Sequence, residues 1–284
     1  MTVKEDFDLT NYNSYRIQAR CQRAFFPEST EDLYEMFSRG HQDLIILGRG
    51  NNLILSKEYY DRDFLILSDS FSKIEIVDNQ ISALAGTNMF DLSIAAYNKA
   101  LTGFEYFYDI PSSLGGAIVM NAGSNGVEIK EFLKSITTIS TLTGEITSLT
   151  KENIGLTYRS SIFQNRSDIL VLSGTFELKR DNRDQIFSRM KEIKERRDSK
   201  QPKEYPNAGS VFKRPEGRFV GPMIEALGLK GYMIGGAQVS DKHAGFIINK
   251  NNATGKDVLE LIQYIQESVK SEYGISLEVE QRII

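Results

Sequence analysis

The chain has 284 residues, of which 34 are Lys or Arg and 38 are Asp or Glu, a formal net charge of −4. Its basic residues are scattered and outnumbered, which argues against nucleic acid as a partner, because affinity for a phosphate backbone comes mostly from clustered cations. One cysteine, Cys21, and two histidines, His41 and His243, exclude a disulfide scaffold and leave no metal site expected. Acid–base or redox chemistry therefore falls to hydroxyls, carboxylates, Lys, Arg or a bound cofactor. With 40% hydrophobic and 25% charged residues the composition is globular, and the length suggests two domains.

Residues 1–13 carry Lys4, Glu5, Asp6 and Asp8 and no apolar h-region, and no stretch is apolar for the length of a bilayer, so no membrane association and a cytoplasmic location are expected. Ser29, followed by Glu31 and Asp32, reads as a helix start, with Leu33, Met36 and Phe37 at helical spacing and Gly40 as the stop. A short strand at 44–47 runs into Gly48-Arg49-Gly50-Asn51-Asn52, and strand-like segments follow at 53–55, 64–67, 74–77 and 81–85. Residues 88–101 read as a helix capped by Asn88, and the glycine-marked segment 110–126 as a loop. Alternation returns at 135–149 and 169–179. A charged helix follows at 184–199, with Ile186, Phe187, Met190 and Ile193 on one face. The proline-bearing stretch 201–206 is the expected join, giving domains 1–199 and 200–284. Beyond it are read a strand at 210–213, a short helix at 222–227, a strand at 244–249, an amphipathic helix burying Val258, Leu261, Ile262, Ile265 and Val269, and a last strand at 277–284. Strands and helices mix without βαβ alternation, which makes the fold α+β.

Several segments have a functional reading beside a plain one. Gly48 to Asn52 follows a strand but precedes Leu53-Ile54-Leu55, not a helix, so it satisfies neither the Rossmann nor the Walker pattern. Consecutive N–H groups in such a turn form an anion cradle without a helix; otherwise the glycines simply make a bend. With the uncharged loop Ser112 to Gly126, it makes a pair able to approach a diphosphate or an aromatic cofactor through backbone. Arg159, in Tyr158-Arg159-Ser160-Ser161, is either a cation lying over Tyr158 or a planar fork for a carboxylate. Ser210 begins a strand, where serines commonly bond to backbone or else face a cleft. Glu280 shares a strand face with Glu278.

In order and spacing, these segments resemble the UDP-N-acetylenolpyruvoylglucosamine reductases, the MurB family of peptidoglycan precursor synthesis. The likeness runs through Asn13-Ser14-Tyr15-Arg16-Ile17, residues 47–53, Gly103-Phe104-Glu105, residues 110–126 and 158–163. It continues in Ala208-Gly209-Ser210-Val211-Phe212-Lys213, His243-Ala244-Gly245-Phe246 and Leu277-Glu278-Val279-Glu280. The length matches the shorter branch, without an inserted tyrosine loop.

The resemblance implies a two-lobed FAD-binding region of the vanillyl-alcohol-oxidase (PCMH) type followed by an α+β substrate domain. It implies reduction of FAD by NADPH, then hydride transfer from flavin N5 to the enolpyruvyl double bond of a UDP-sugar. The implied cofactor residues are Gly48, Arg49, Gly50, Asn51, Asn52, Leu53, Pro111, Ser112, Ser113, Gly115, Gly116, Ala117, Asn121 and Gly123. The implied catalytic residues are Arg159 and Glu280, for the developing enolate, and Ser210, as proton donor. Lys213 and Arg214 are expected to meet the anionic substrate, and the protein to be a monomer. Asn51, Ser112, Arg214 and Gln281 stand where the family usually has other residues. The alternatives are a flavoprotein for another nucleotide sugar, or a non-catalytic nucleotide-sugar-binding homologue.

Overall fold

The computed structural model describes residues 1–284, and the chain forms two compact units, each discontinuous in sequence. The first comprises residues 1–4, 23–49 and 62–196; the second comprises residues 5–22, 50–61 and 197–284.

The first unit is built on a five-stranded antiparallel sheet in the order Ile146–Thr150, Leu133–Ser140, Ile169–Glu177, Gln80–Leu84, Ile74–Val77. Its core gathers Phe104, Phe107, Leu114, Ile118, Ile136 and Phe176; the rings of Phe104 and Phe176 meet edge to face, with centroids 5.1 Å apart. A second cluster forms where helix α1 (Thr30–Ser38) places Leu33, Met36 and Phe37 against Phe25, Leu65, Phe71 and Ile139. The Ser29 side chain caps α1 by accepting from the N–H of Asp32, as the sequence suggests. Leu44–Leu47 pairs in parallel with residues 63–66, which fixes where residue 48 leaves the sheet.

Helix α2 (Met89–Asn98) is capped by Asn88 and is shorter than the expected 88–101. Residues 110–126, expected as loop throughout, contain a helical turn, α3 (Leu114–Val119), capped by Ser113. Glycine there allows close packing, since a Cβ on Gly115 would come within 2.9 Å of the Ala85 Cβ. Helix α4 (Arg183–Lys200) buries Ile186, Met190 and Ile193. Phe187 does not share that face. It is 55% exposed and lies against Tyr97, because one residue of helix turns the side chain about 100° away from Ile186. The Glu105 carboxylate is buried and accepts from Arg189 Nε (2.9 Å), Thr102 Oγ1 (2.6 Å) and the N–H of Gly103 (2.5 Å), while Arg189 also reaches Asp181 at 2.6 Å.

The second unit holds a three-stranded antiparallel sheet, Met233–Ile234, Ala237–Val239 and Ile247–Asn249, with helices α5 (Val220–Ala226) and α6 (Gly255–Tyr273). The five apolar residues expected to face inward on α6 are buried. Thr254 and Asp257 close a capping box at its start, and Gly274, at φ +68°, ends it. The strands expected at 210–213 and 277–284 are reduced to bridges, Ser210 with Phe246 and Phe212 with Val279. Only Arg282–Ile283 forms a strand, pairing in parallel with Leu53–Ile54. Gly209 at φ +81° and Pro215 bound the extended run at 210–213 on its two sides. Strands and helices mix as an α+β fold should, and no helix is long and apolar enough to cross a membrane.

Candidate active site

In the first unit the two glycine-rich segments meet. A Cβ on Gly48 would fall 2.4 Å from Ser113 Oγ, so the absence of a side chain lets the loops touch. Residues 112–115 are tethered through backbone: Ser112 O accepts from the N–H of Met89, and the N–H groups of Leu114 and Gly115 donate to Thr87 O and Ala85 O. Ala117 is buried, Gly116 partly so, and Pro111 exposed. Arg49 pairs with Asp69 at 2.6 Å. Asn121 is fully buried and spends its side chain on the fold. Its amide donates to Glu128 Oε2 (3.0 Å) and Thr157 O (2.8 Å) and accepts from the N–H of Lys130 (3.3 Å).

Arg159 sits at the tip of a tight turn closed by reciprocal backbone bonds between Thr157 and Ser160. Its φ of +52° belongs to the left-handed region, which costs a residue with a Cβ about 1–2 kcal/mol and marks a site worth functional attention. The guanidinium stacks over Tyr158 with 5.4 Å to the ring centroid. In addition, Nη2 donates to Gly123 O at 3.0 Å. This arginine is therefore anchored on the glycine-rich segment as well as on its aromatic neighbour.

The segment 49–52 continues the first loop. None of the N–H groups of Arg49, Gly50, Asn51 and Asn52 donates to another group of the chain. Gly50, at φ +68°, is pressed against the backbone of Tyr12 and Asn13, and its carbonyl accepts from the N–H of Ser14. Asn51 Nδ2 donates to Ser14 Oγ at 2.6 Å, whereas Asn51 Oδ1 is buried with no hydrogen-bond partner. A buried acceptor without a donor is costly and calls for an explanation. Asn52 Nδ2 donates to Glu280 O at 3.2 Å, and Leu53 starts the parallel pair with Arg282.

Also in the second unit, Ser210 and Glu280 are brought together. The N–H of Glu280 donates to Val211 O at 2.8 Å, and the N–H of Lys213 to Glu278 O at 2.9 Å, so the two segments run alongside each other. Ser210 is exposed, and the space where a Cβ of Gly209 would stand is open to 4 Å. Lys213 is ion-paired with Glu278 at 2.6 Å, and Arg214 lies over the exposed ring of Phe219, 4.4 Å from its centroid. His243, read from sequence as packing, has its ring 4.9 Å from that of Phe246, and its Nδ1 accepts from the N–H of Gly245, which fixes the neutral ring with its hydrogen on Nε2. Burial lowers its pKa below 6.5, with Lys230 and Lys200 acting in the same direction.

Tyr15 and Gln281 join this group without having been assigned any role from sequence. Tyr15 Oη donates to Gln281 Oε1 at 2.9 Å, and Gln281 Nε2 donates to Ala208 O (3.0 Å) and Gly209 O (3.3 Å). The available signals were the motif around Tyr15 and the departure at Gln281. Neither indicates a contact across 266 positions.

Two family descriptions match the chain: "FAD binding domain" over residues 22–150 and "UDP-N-acetylenolpyruvoylglucosamine reductase, C-terminal domain" over residues 201–284. A UDP-N-acetylenolpyruvoylglucosamine reductase of Francisella tularensis is 43% identical, with 99% of this chain and 100% of the relative aligned. One of Lactobacillus acidophilus is 41% identical over 99% of this chain and 95% of its own length. The crystal structure of UDP-N-acetylenolpyruvylglucosamine reductase (MurB) from Thermus caldophilus superposes with a TM-score of 0.85 at 28% identity, covering 99% of this chain and 98% of that one.

Proposed function

The chain belongs to the UDP-N-acetylenolpyruvoylglucosamine reductase family, and from that premise we propose that it is the FAD-dependent enzyme converting UDP-N-acetylglucosamine enolpyruvate to UDP-N-acetylmuramate with NADPH, in peptidoglycan precursor synthesis. Its fold is then an FAD-binding domain followed by the family's C-terminal domain, with the substrate domain proposed to begin at residue 200. We take the protein to act as a cytoplasmic monomer on small molecules, in keeping with its charge of −4 and dispersed cations.

The residues present fit FAD. Four consecutive N–H groups with no acceptor in the chain suit the oxygens of a diphosphate. The buried, unmatched Asn51 Oδ1 suits a hydroxyl or N–H donor of the same ligand. In this reading Gly48, Arg49, Gly50, Asn51, Asn52 and Leu53 hold the cofactor together with Pro111, Ser112, Ser113, Gly115, Gly116 and Ala117. Asn121 and Gly123 shape that second loop and anchor Arg159. FAD, reduced by NADPH, supplies the hydride that adds to the enolpyruvyl double bond.

The protein's part is to bind the substrate carboxylate, stabilise the charge that develops beside it, and return a proton. Arg159 offers a planar, permanently charged fork for the carboxylate. Ser210 Oγ–H protonates the carbon next to the carboxylate, after which solvent restores the hydroxyl hydrogen. The acceptor is a carbanion, basic enough to take a proton from an alcohol; Ser210 is exposed here, so bound substrate and cofactor would have to exclude water from it. Glu280 adds to the field at that carbon. Lys213 and Arg214 are proposed to meet the anionic substrate; for Lys213 this requires exchange of its Glu278 partner.

The observation that carries these roles is the pairing of the Glu280 and Ser210 segments beside open space. The test separates the half-reactions. Ser210→Ala is expected to leave reduction of the flavin by NADPH nearly intact and to slow reoxidation by the enolpyruvyl substrate by a factor on the order of 10² to 10⁴. Equal losses in both steps would mean that Ser210 serves structure.

A further inference from the structure

Gln281 is 3% exposed, in a place where an apolar side chain of similar length would pack without any polar atoms to satisfy. All the hydrogen bonds made by its side chain lead to the segment before Ser210 or to Tyr15. Its Nε2 donates to Ala208 O and Gly209 O, the two carbonyls immediately before Ser210, and its own backbone follows directly from Glu280. Its Oε1 takes the Tyr15 phenol hydrogen.

Tyr15 is in turn fixed by its own carbonyl, which accepts from Asn249 Nδ2 at 2.8 Å. Complete burial raises the phenol's pKa well above its usual value, so it remains a neutral donor. The relay has one direction. A phenol donates to an amide oxygen, and the amide N–H donates to two carbonyls. A carboxamide presents one acceptor and two donors at once, which matches the phenol and the two carbonyls. Rotating the Gln281 amide would leave the Tyr15 hydroxyl facing a donor and the two carbonyls facing an oxygen, so the geometry admits a single orientation.

On the reading proposed above, we infer that Gln281, held by Tyr15, is a positioning residue that sets the Ser210 segment against Glu280 for proton delivery. Its effect would reach the chemistry through the backbone before Ser210 and after Glu280, where a small displacement of a proton donor is costly in rate.

The test uses the FAD-loaded full chain and three variants: Gln281→Met, Gln281→Glu and Tyr15→Phe. The expected result is reduction by NADPH at the wild-type rate, with reoxidation by the enolpyruvyl substrate slowed on the order of tenfold in Gln281→Met and Tyr15→Phe. Gln281→Glu supplies the discriminating readout. Ionised, it cannot donate to either carbonyl; protonated, it donates to one and still accepts from Tyr15. A buried carboxyl titrates well above about 4.3, so the reoxidation rate of Gln281→Glu relative to wild type should rise as the pH falls, while that of Gln281→Met stays flat. Melting temperatures of the FAD-free proteins give a second readout: Tyr15→Phe with Gln281→Met together should lose less than the sum of the single losses.

Variants that melt lower but keep both half-reactions at wild-type rates would overturn the inference and leave a purely structural pair. So would a pH-independent ratio for Gln281→Glu. If Gln281→Met fails to fold, the acid recovery of Gln281→Glu still decides. A wild-type protein that substrate cannot reoxidise would remove the functional reading, and this inference with it. A wild type that turns over beside unaffected variants removes this inference alone.

Discussion

Gly50→Ala tests how the first loop is built. A Cβ at this position would lie 2.0 Å from Tyr12 O and 2.8 Å from Asn13 Cα, both backbone atoms, and the φ of +68° is already unfavourable for alanine. The left-handed conformation costs about 1–2 kcal/mol, and relieving an overlap that needs roughly 1 Å of backbone movement costs about 1–3 kcal/mol more. The sum is about 2–5 kcal/mol. If the loop yields, the loss falls on the free N–H groups of residues 49–52 and appears as FAD affinity, at tenfold per 1.4 kcal/mol, between about thirtyfold and a few thousandfold. If the fold yields, it appears in the melting temperature of the FAD-free protein. Fluorescence titration with FAD and a thermal melt capture both. Two controls sharpen the result. Gly126→Ala has a φ of +84° but open space, so it should show only the smaller conformational cost. Gly48→Ala meets a rotatable hydroxyl, Ser113 Oγ, so adding Ser113→Ala should recover part of its loss. Gly50→Ala binding FAD within about threefold of wild type, with an unchanged melt, would refute the reasoning.

Glu105→Ala should destabilise the first unit by about 3 kcal/mol, because it leaves the Gly103 N–H and part of Arg189 without their acceptor while Arg189 keeps Asp181. Circular dichroism should record a fall of about 6–12 °C in melting temperature, and a fall below about 2 °C would contradict it. His243 titrates with a pKa lowered by burial, so the folded state favours the neutral ring. Its contribution is fully present above about pH 6.5 and is lost as the pH falls from there through the folded value. Urea denaturation at about pH 7.5 and about pH 5.5 should show a loss of stability that His243→Gln reduces; an identical loss in the variant would assign it to other groups.

Helix ends were legible because their signals are local. Ser29, Asn88 and Gly274 act within one turn of where they stand in sequence. Helix α3 was hidden because Gly115 and Gly116 signal a loop by propensity, while Gly115 reflects the nearness of Ala85, which only the tertiary structure reveals. Phe187 was misplaced because an exposed aromatic and a buried one look alike on a helical repeat. In the candidate site, the family resemblance pointed to Ser210 and Glu280, which residue type alone left as a backbone-bonding serine and a strand-face acid. Their nearness rests on a bond between residues 211 and 280, and no periodicity predicts that. Asn121 shows the opposite limit: its position in the glycine-rich motif is clear, yet its side chain is consumed by Glu128, Thr157 and Lys130.

The residues around Tyr15 show why the second unit draws on three stretches of chain. The N–H of Ser14 donates to Gly50 O at 3.0 Å, and Ser14 Oγ accepts from Asn51, so this turn fixes the segment whose N–H groups suit a diphosphate. The next residue, Tyr15, fixes Gln281 and through it the carbonyls before Ser210. Asn13 makes the turn rigid. Buried, it donates to Leu9 O and Ile17 O at 3.0 Å each and accepts from the N–H of Ile17 at 2.9 Å. Two adjacent residues on one rigid turn thus set the backbone of residues 50–51 and the backbone before Ser210 to a common reference. A polar relay is costlier to bury than an apolar contact but permits fewer alternative registers, and the role proposed for Ser210, one hydroxyl protonating one carbon, would depend on a single register.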